Sequence, residues 1–291
     1  MRLFITNRGL RIILLLTILG SGTGANLFSQ DNRTLKVEES YNLPPVLSEI
    51  SGMICIRDTV FAINDSGNGS FIYMLDASDF SRRATVYLRN IRNIDWEELC
   101  YFDGDLYIGD FGNNLGNRKD LAIYRLPLKN LFDHSPAPGK IQFNYAAQVS
   151  FKIMPGKHPW DCEAMVVNNE GIWLFSKNWK DRYTILYRIN DEIMHYSATA
   201  LDTLKIDFLV TGSFLDSESD ELFLCGYTKK STYLAVIRDY TKTGFSTDPE
   251  VYHIPELENM QVESVYVKDN YIYLASERTS RNQRIYKIIK P

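Results

Sequence analysis

The sequence predicts an all-β chain folded as a β-propeller of five blades, with six as the alternative count. Three observations carry this. A tetrapeptide with Tyr at its second position recurs as Ile72-Tyr73-Met74-Leu75, Ile123-Tyr124-Arg125-Leu126, Leu186-Tyr187-Arg188-Ile189 and Ile285-Tyr286-Lys287-Ile288, each reading as a short alternating strand. Upstream of each, an acidic or amide residue opens an apolar run: Glu49 to Met53, Asp95 to Leu99, Asp161 to Met165 and Gln261 to Val265. Met53, Leu99, Met165 and Val265 then stand seven residues before Val60-Phe61, Leu106-Tyr107, Ile172-Trp173 and Ile272-Tyr273, without gaps.

Taken in order, each opener begins a first strand and the apolar pair seven residues on marks the second. Turn pairs such as Asp103-Gly104 and Asp269-Asn270 lie between them, which is hairpin chemistry. The Tyr tetrapeptide is the third strand. A weaker copy runs through Thr211 to Leu215, Leu222 to Leu224 and Tyr233 to Val236. The five units begin near 49, 97, 163, 211 and 263, a period long for WD40 and close to kelch, and four-stranded units at that period build propellers. Fourth strands fall at 84–88, 141–153, 200–206 and 251–254. The last unit has none before Pro291, so the segment 34–42 is expected to complete that blade and close the ring, which removes exposed sheet edges.

The 291 residues are 45% hydrophobic and 23% charged, a globular balance, and the formal net charge of -4 lacks the basic footprint of a nucleic-acid binder. Arg2, Arg8 and Arg11 precede the apolar run 12–19 and then small residues, which is the pattern of a secretory signal peptide over 1–29, cleaved after Ala25 or Ser29. The run is too short for a membrane span. Loss of three Arg and no acid takes the formal charge from -4 to -7. The expected working form is therefore a monomeric, secreted or periplasmic domain over 30–291, without a transmembrane anchor and with an envelope or extracellular partner. Cys55, Cys100, Cys162 and Cys225 form no CxxC and lie in or beside apolar runs. They read as buried free thiols, and zinc has no ligand spacing to use.

The set EISGM with INDSGN, DWEEL with LYIGDFGNN, DCEAM with a strand ending SKN, and VESV with LASE resembles the exported bacterial propellers grouped as SdiA-regulated (YjiK-like) and the phytase-like "esterase-like activity of phytase" domains. The likeness covers nearly all of 34–291. It implies a secreted or periplasmic propeller of five or six blades, and its motifs specify fold more than reaction.

Because first strands run down the channel and second strands run back, the start of one and the end of the other share a face. That geometry is expected to gather Glu49, Glu97, Glu163 and Glu263 near the channel mouth, with Asn64, Asp65, Asp110, Asn113 and Asn114 around them and Thr211 in the weaker blade's place. Two carboxylates 5 Å apart repel by about 3 kcal/mol at an effective dielectric near 20, so something must neutralise the set. Three routes are open: Ca²⁺ held by Glu49, Glu97, Asp110, Glu163 and Glu263; the internal cations Lys177 and Arg278; or raised pKa values. The turns at 64–68 and 109–114 either stabilise the backbone or lend oxygens and amides to a ligand.

His158, three residues before Asp161, is a candidate general base or ligand, with Glu97 and Glu163 as the candidate catalytic acids. Trp160 and Trp179 escape the repeat and are candidate ligand contacts, whereas the repeated Tyr, Trp96 and Trp173 are assigned to inter-blade packing. No G-x-S-x-G, P-loop or HExxH is present. Two functions follow. One is a binding module that offers its acidic, Ca²⁺-competent mouth to a ligand or partner. The other is a metal-dependent hydrolase of phosphoesters or lactones. Only Lys157, Lys177 and Arg278 would serve a phosphoester, which favours binding.

Overall fold

A computed structural model describes residues 33–133 and 136–291; the signal-peptide segment lies outside the described residues. Strand β1 (Val37–Asn42) comes first. Blade one is β2 (Ile50–Ile56), β3 (Thr59–Asn64), β4 (Phe71–Asp76) and β5 (Arg82–Tyr87). Blade two is β6 (Trp96–Phe102), β7 (Asp105–Asp110), β8 (Ala122–Pro127) and β9 (Gly139–Tyr145). Next come β10 (Cys162–Asn168), β11 (Gly171–Ser176) and β12 (Tyr183–Ile189), then β13 (His195–Ala198), which leaves to pair with β9, and β14 (Ala200–Lys205), which completes blade three. Blade four is β15 (Leu209–Asp216), β16 (Glu221–Tyr227), β17 (Thr232–Arg238) and β18 (Glu250–His253). Finally β19 (Val262–Lys268), β20 (Tyr271–Ser276) and β21 (Arg284–Ile289) take β1 as their fourth strand. The expected five blades and the N-terminal closure are both present.

The ring closes because first strands pack side by side: β2 on β6, β6 on β10, β10 on β15, β15 on β19 and β19 back on β2. Apolar residues fill the gaps between blades. The repeated Tyr73, Tyr124, Tyr187 and Tyr286 are all buried there, as expected for packing residues. Asp103 and Gly104 both take positive φ, the conformation a two-residue hairpin turn needs. The four cysteines are unpaired, three of them buried and Cys55 half-buried.

One strand differs from expectation. β9 ends at Tyr145 rather than continuing to 153, and β13 covers its outer edge in parallel, pairing His195 with Gln142 through Ala198 with Tyr145. The segment His195–Ala198 alternates over only four residues, turning Tyr196 and Ala198 to the core, and its pairing partner comes from another blade. Among the described residues no helix is long and apolar enough to cross a membrane.

Candidate functional site

The same irregularity occurs at the start of every first strand. Ile50, Trp96, Cys162, Leu209 and Val262 pair with Asn64, Asp110, Ser176, Tyr227 and Ser276, the last residues of the second strands. The register then slips in all five blades before Gly52, Glu98, Ala164, Gly212 and Ser264. A β-bulge adds one unpaired residue and re-aims its side chain. The extra residues are Ser51, Glu97, Glu163, Thr211 and Glu263, all buried. Pseudo-symmetry thus makes one ring from five distant positions, three of them glutamates.

This corrects the placement of blade one. Its ring residue is Ser51, while Glu49 lies two residues earlier, equivalent to Asp95, Asp161 and Gln261; it is exposed, and its carboxylate accepts from Asn68 Nδ2 at 2.8 Å. Thr211 stands in the ring as expected and donates to the Val262 carbonyl.

Lys177 is the ammonium of the ring. It follows Ser176, its backbone N–H donates to Asp161 O at 2.8 Å, and its Nζ lies 3.0 Å from Glu163 Oε2. Its charge sits 5.1 Å from the ring centroid of Trp179 and 5.5 Å from that of Tyr227, within cation–π range. Burial alone would lower its pKa, but Glu163, Glu263 and Tyr227 together raise it, so the ammonium stays charged. Tyr227 donates to Glu263 Oε1 at 3.0 Å. Arg278, the second expected cation, is exposed and forms no ion pair among the described residues. Its backbone N–H donates to Ser48 O at 2.8 Å.

The other carboxylates are pushed toward neutrality. Burial, then Glu163, Asp95 and Asp65, raise Glu97 well above the usual range, with Lys177 drawing it back. Burial raises Asp65 to about 7, with Ser66 opposing and Asp95, Glu49 and Glu263 adding. Asp95 reaches about 6 through burial, against the pull of Arg118. Glu277, which follows Ser276 as Lys177 follows Ser176, reaches about 9 through burial and then Glu263 and Asp65. Raised pKa values and the Lys177 ammonium thus both act toward neutrality in the mouth.

Several expected site residues hold loops, although Asn64 Oδ1 and Asp110 Oδ2 stay buried without a partner. Asp110 turns toward Arg118, whose Nη2 lies 2.9 Å from its Oδ1, and also accepts from Asp95 N at 3.1 Å. Asn113 donates from its backbone to Asp161 Oδ1 at 2.7 Å and from Nδ2 to Trp160 O at 2.9 Å. Asn64 Nδ2 donates to Val46 O at 2.7 Å. Trp179 Nε1 donates to Asp161 Oδ2 at 2.8 Å, while Trp160 packs on Tyr145 with centroids 5.5 Å apart. His158 is 1% exposed; its Nδ1 accepts from Trp160 N at 3.2 Å, so Nε2 carries the proton and donates to the exposed Asn114's carbonyl at 3.1 Å. Both ring nitrogens are occupied, which leaves no lone pair for a general base. Asp110, Asn113 and His158 therefore position the mouth rather than line it.

Two features had not been anticipated. Gly112 lies over the mouth so closely that a methyl there would fall 2.1 Å from Glu97 Oε1 and 2.5 Å from Asp95 Oδ2. Below the ring, Glu98 is 1% exposed and its carboxylate takes Leu99 N at 3.0 Å and Ser213 N at 2.9 Å, tying blade two to blade four across the channel. Beyond that plug the channel is lined by Met53, Leu99, Val166 and Phe214 around a cavity of about 40 Å³.

Ca²⁺ takes six to eight oxygens at 2.3–2.6 Å. Among the described residues no three His, Cys, Asp or Glu side chains converge in a way that would hold a metal ion. Of the residues expected to hold Ca²⁺, Glu49 accepts from Asn68 and Asp110 pairs with Arg118.

No family model matches the chain. No curated protein matches it either. Among solved structures it is similar to hydrazine synthase from Kuenenia stuttgartiensis, at 11% identity and a TM-score of 0.41, covering 79% of this chain and 56% of that one. A chain of the mitotic checkpoint complex is similar at 11% identity and 0.40, covering 98% and 100%. The WD40 repeats of RRP9 are similar at 9% and 0.41, covering 82% and 67%. At this level the fold rests on the strand pairing above.

Proposed function

We propose that the protein is an exported binding module whose acidic channel mouth takes a positively charged ligand. One observation carries the reading: three glutamates on equivalent bulges, Glu97, Glu163 and Glu263, are buried around a single ammonium, and the half-buried Asp65, Asp95 and Glu277 continue the carboxyl lining outward, groups that an incoming cation would draw toward their ionised forms. Fields focused in such a concavity draw in the opposite charge. The resemblance to SdiA-regulated and phytase-like propellers supports export, and rigid rings with loops at one face suit binding.

Hydrolysis of a phosphoester fits less well. A phosphate would meet a carboxylate excess, and Lys177, the expected phosphate partner, is bound to Glu163. The test is thermal melting with millimolar calcium chloride, n-butylammonium chloride or sodium phosphate, together with turnover of p-nitrophenyl phosphate. The expected result is a higher melting temperature with a cation and neither shift nor turnover with phosphate. A ligand at 100 times its Kd adds about 2.7 kcal/mol. Turnover of the phosphoester, or a shift with phosphate and none with either cation, overturns the reading.

A further inference from the structure

Lys177 shows what the mouth accepts. Its alkyl chain carries an ammonium to a carboxylate oxygen at 3.0 Å and between the faces of two aromatic rings, a combination that attracts alkylammonium groups in general. One ammonium leaves the ring unsatisfied. Glu163 Oε1 is sealed from solvent and has no hydrogen-bond partner. Glu97, 6% exposed, accepts no hydrogen bond from any described residue. Buried polar oxygens are almost always partnered, and Glu163 acts on Glu97 more strongly than any other charged group does. These two unmet groups lie on adjacent bulges of blades two and three. Asp95 and Asp65, both half-buried, continue from Glu97 to the rim and give an incoming cation a path.

The chemistry of the acceptors selects the cation. A metal ion needs several oxygens within a narrow shell, and among the described residues no three acidic, His or Cys side chains are so gathered. A guanidinium needs an open, coplanar carboxylate edge for its fork, whereas Gly112 closes tightly over Glu97 and Asp95. A primary ammonium offers three rotatable N–H donors and tolerates acceptors from separate strands. We propose that the mouth is a binding site for a small linear primary alkylamine, whose ammonium is seated at Glu97 and the neighbouring Asp95, next to the Glu163–Lys177 pair, the chain's own copy of that contact. The proposal rests on the reading of the mouth as a cation site and narrows it to one class.

Isothermal titration of the purified protein with n-butylammonium, tetramethylammonium and calcium chlorides tests it, with melting temperatures recorded in parallel. Butylammonium is expected to bind, and tetramethylammonium, which has no N–H, to bind at least tenfold more weakly. Glu97→Gln is expected to weaken butylammonium at least tenfold without lowering the melting temperature, and Asp95→Asn to weaken it less. Calcium or tetramethylammonium binding as tightly as butylammonium overturns the amine assignment and leaves the cation reading intact. Unchanged affinity in Glu97→Gln also overturns the assignment, and binding of none of the three overturns both.

Discussion

Replacing Lys177 by methionine removes the ammonium from the ring while nearly preserving side-chain length. Deleting one member of a buried ion pair costs about 3–5 kcal/mol, because the other charge is left uncompensated. Glu163 has one escape, protonation. With an ordinary glutamate pKa near 4.3, that route costs about 5 kcal/mol at pH 8 and about 1 kcal/mol at pH 5. Burial pushes Glu163 upward, Lys177 pulls it back, and Asp161 and Glu263 push it further; without Lys177 the downward pull of the 3.0 Å contact is gone. The expected loss is therefore about 3 kcal/mol at pH 8, shrinking to about 1 kcal/mol or less at pH 5. Lys177 itself does not supply that pH dependence. Its raised folded pKa keeps its contribution intact below the unfolded lysine value near 10.4, well above this window. Urea denaturation of both proteins at pH 8 and pH 5 measures the difference. Equal losses at the two pH values, or no loss at pH 8, would refute the reasoning.

Other perturbations report on neighbouring parts of the mouth. Asp65, raised from 3.8 to about 7, stabilises the fold below its unfolded pKa and loses that contribution as pH rises through 7. Its share between pH 5 and 8 is at most about 2–3 kcal/mol at this half-buried site, so Asp65→Asn should flatten the decline in unfolding free energy over that window; an unchanged slope contradicts the assignment. Gly112→Ala should cost only about 1 kcal/mol, since the clash falls on side-chain ends that can shift, yet it should weaken cation binding at least tenfold by displacing Glu97; calorimetry beside a melt separates the two effects. Glu98→Ala leaves the Leu99 and Ser213 amides without their acceptor and should cost about 2–4 kcal/mol in denaturant titration, where a loss under about 0.5 kcal/mol would remove the plug from the account.

The fold was legible because a propeller repeats its instructions. The Tyr tetrapeptides, the openers and the seven-residue gap each recur, and each recurrence constrains strand order independently. The mouth was legible only in part. Glu97, Glu163 and Glu263 announce themselves as the third residue of their openers, but blade one has Ser51 there, and following the acidic side chain instead of the register led to Glu49. Asp110, Asn113 and His158 have the chemistry of a site and spend it on Arg118, Asp161, Trp160 and Asn114. No spacing distinguishes a residue that holds a loop from one that holds a ligand. Glu277 did carry a signal, since Ser276-Glu277 matches Ser176-Lys177 in register, and the doubled acid of Glu97-Glu98 marked the plug. β13 carried only the Tyr196 and Ala198 alternation, too short to read as a strand, and its partner belongs to another blade.

Equivalent bulges bury Glu97 among like charges, near Glu163, Asp95, Asp65 and Lys177, where a cation relieves the conflict. Side-chain carboxyl NMR of Glu97 through a pH titration tests it directly, with Glu97→Gln to assign the signal. The expected midpoint lies well above that of an exposed glutamate and moves downward when n-butylammonium is added. A midpoint near 4.3, the ordinary glutamate value, unmoved by the amine, would contradict it.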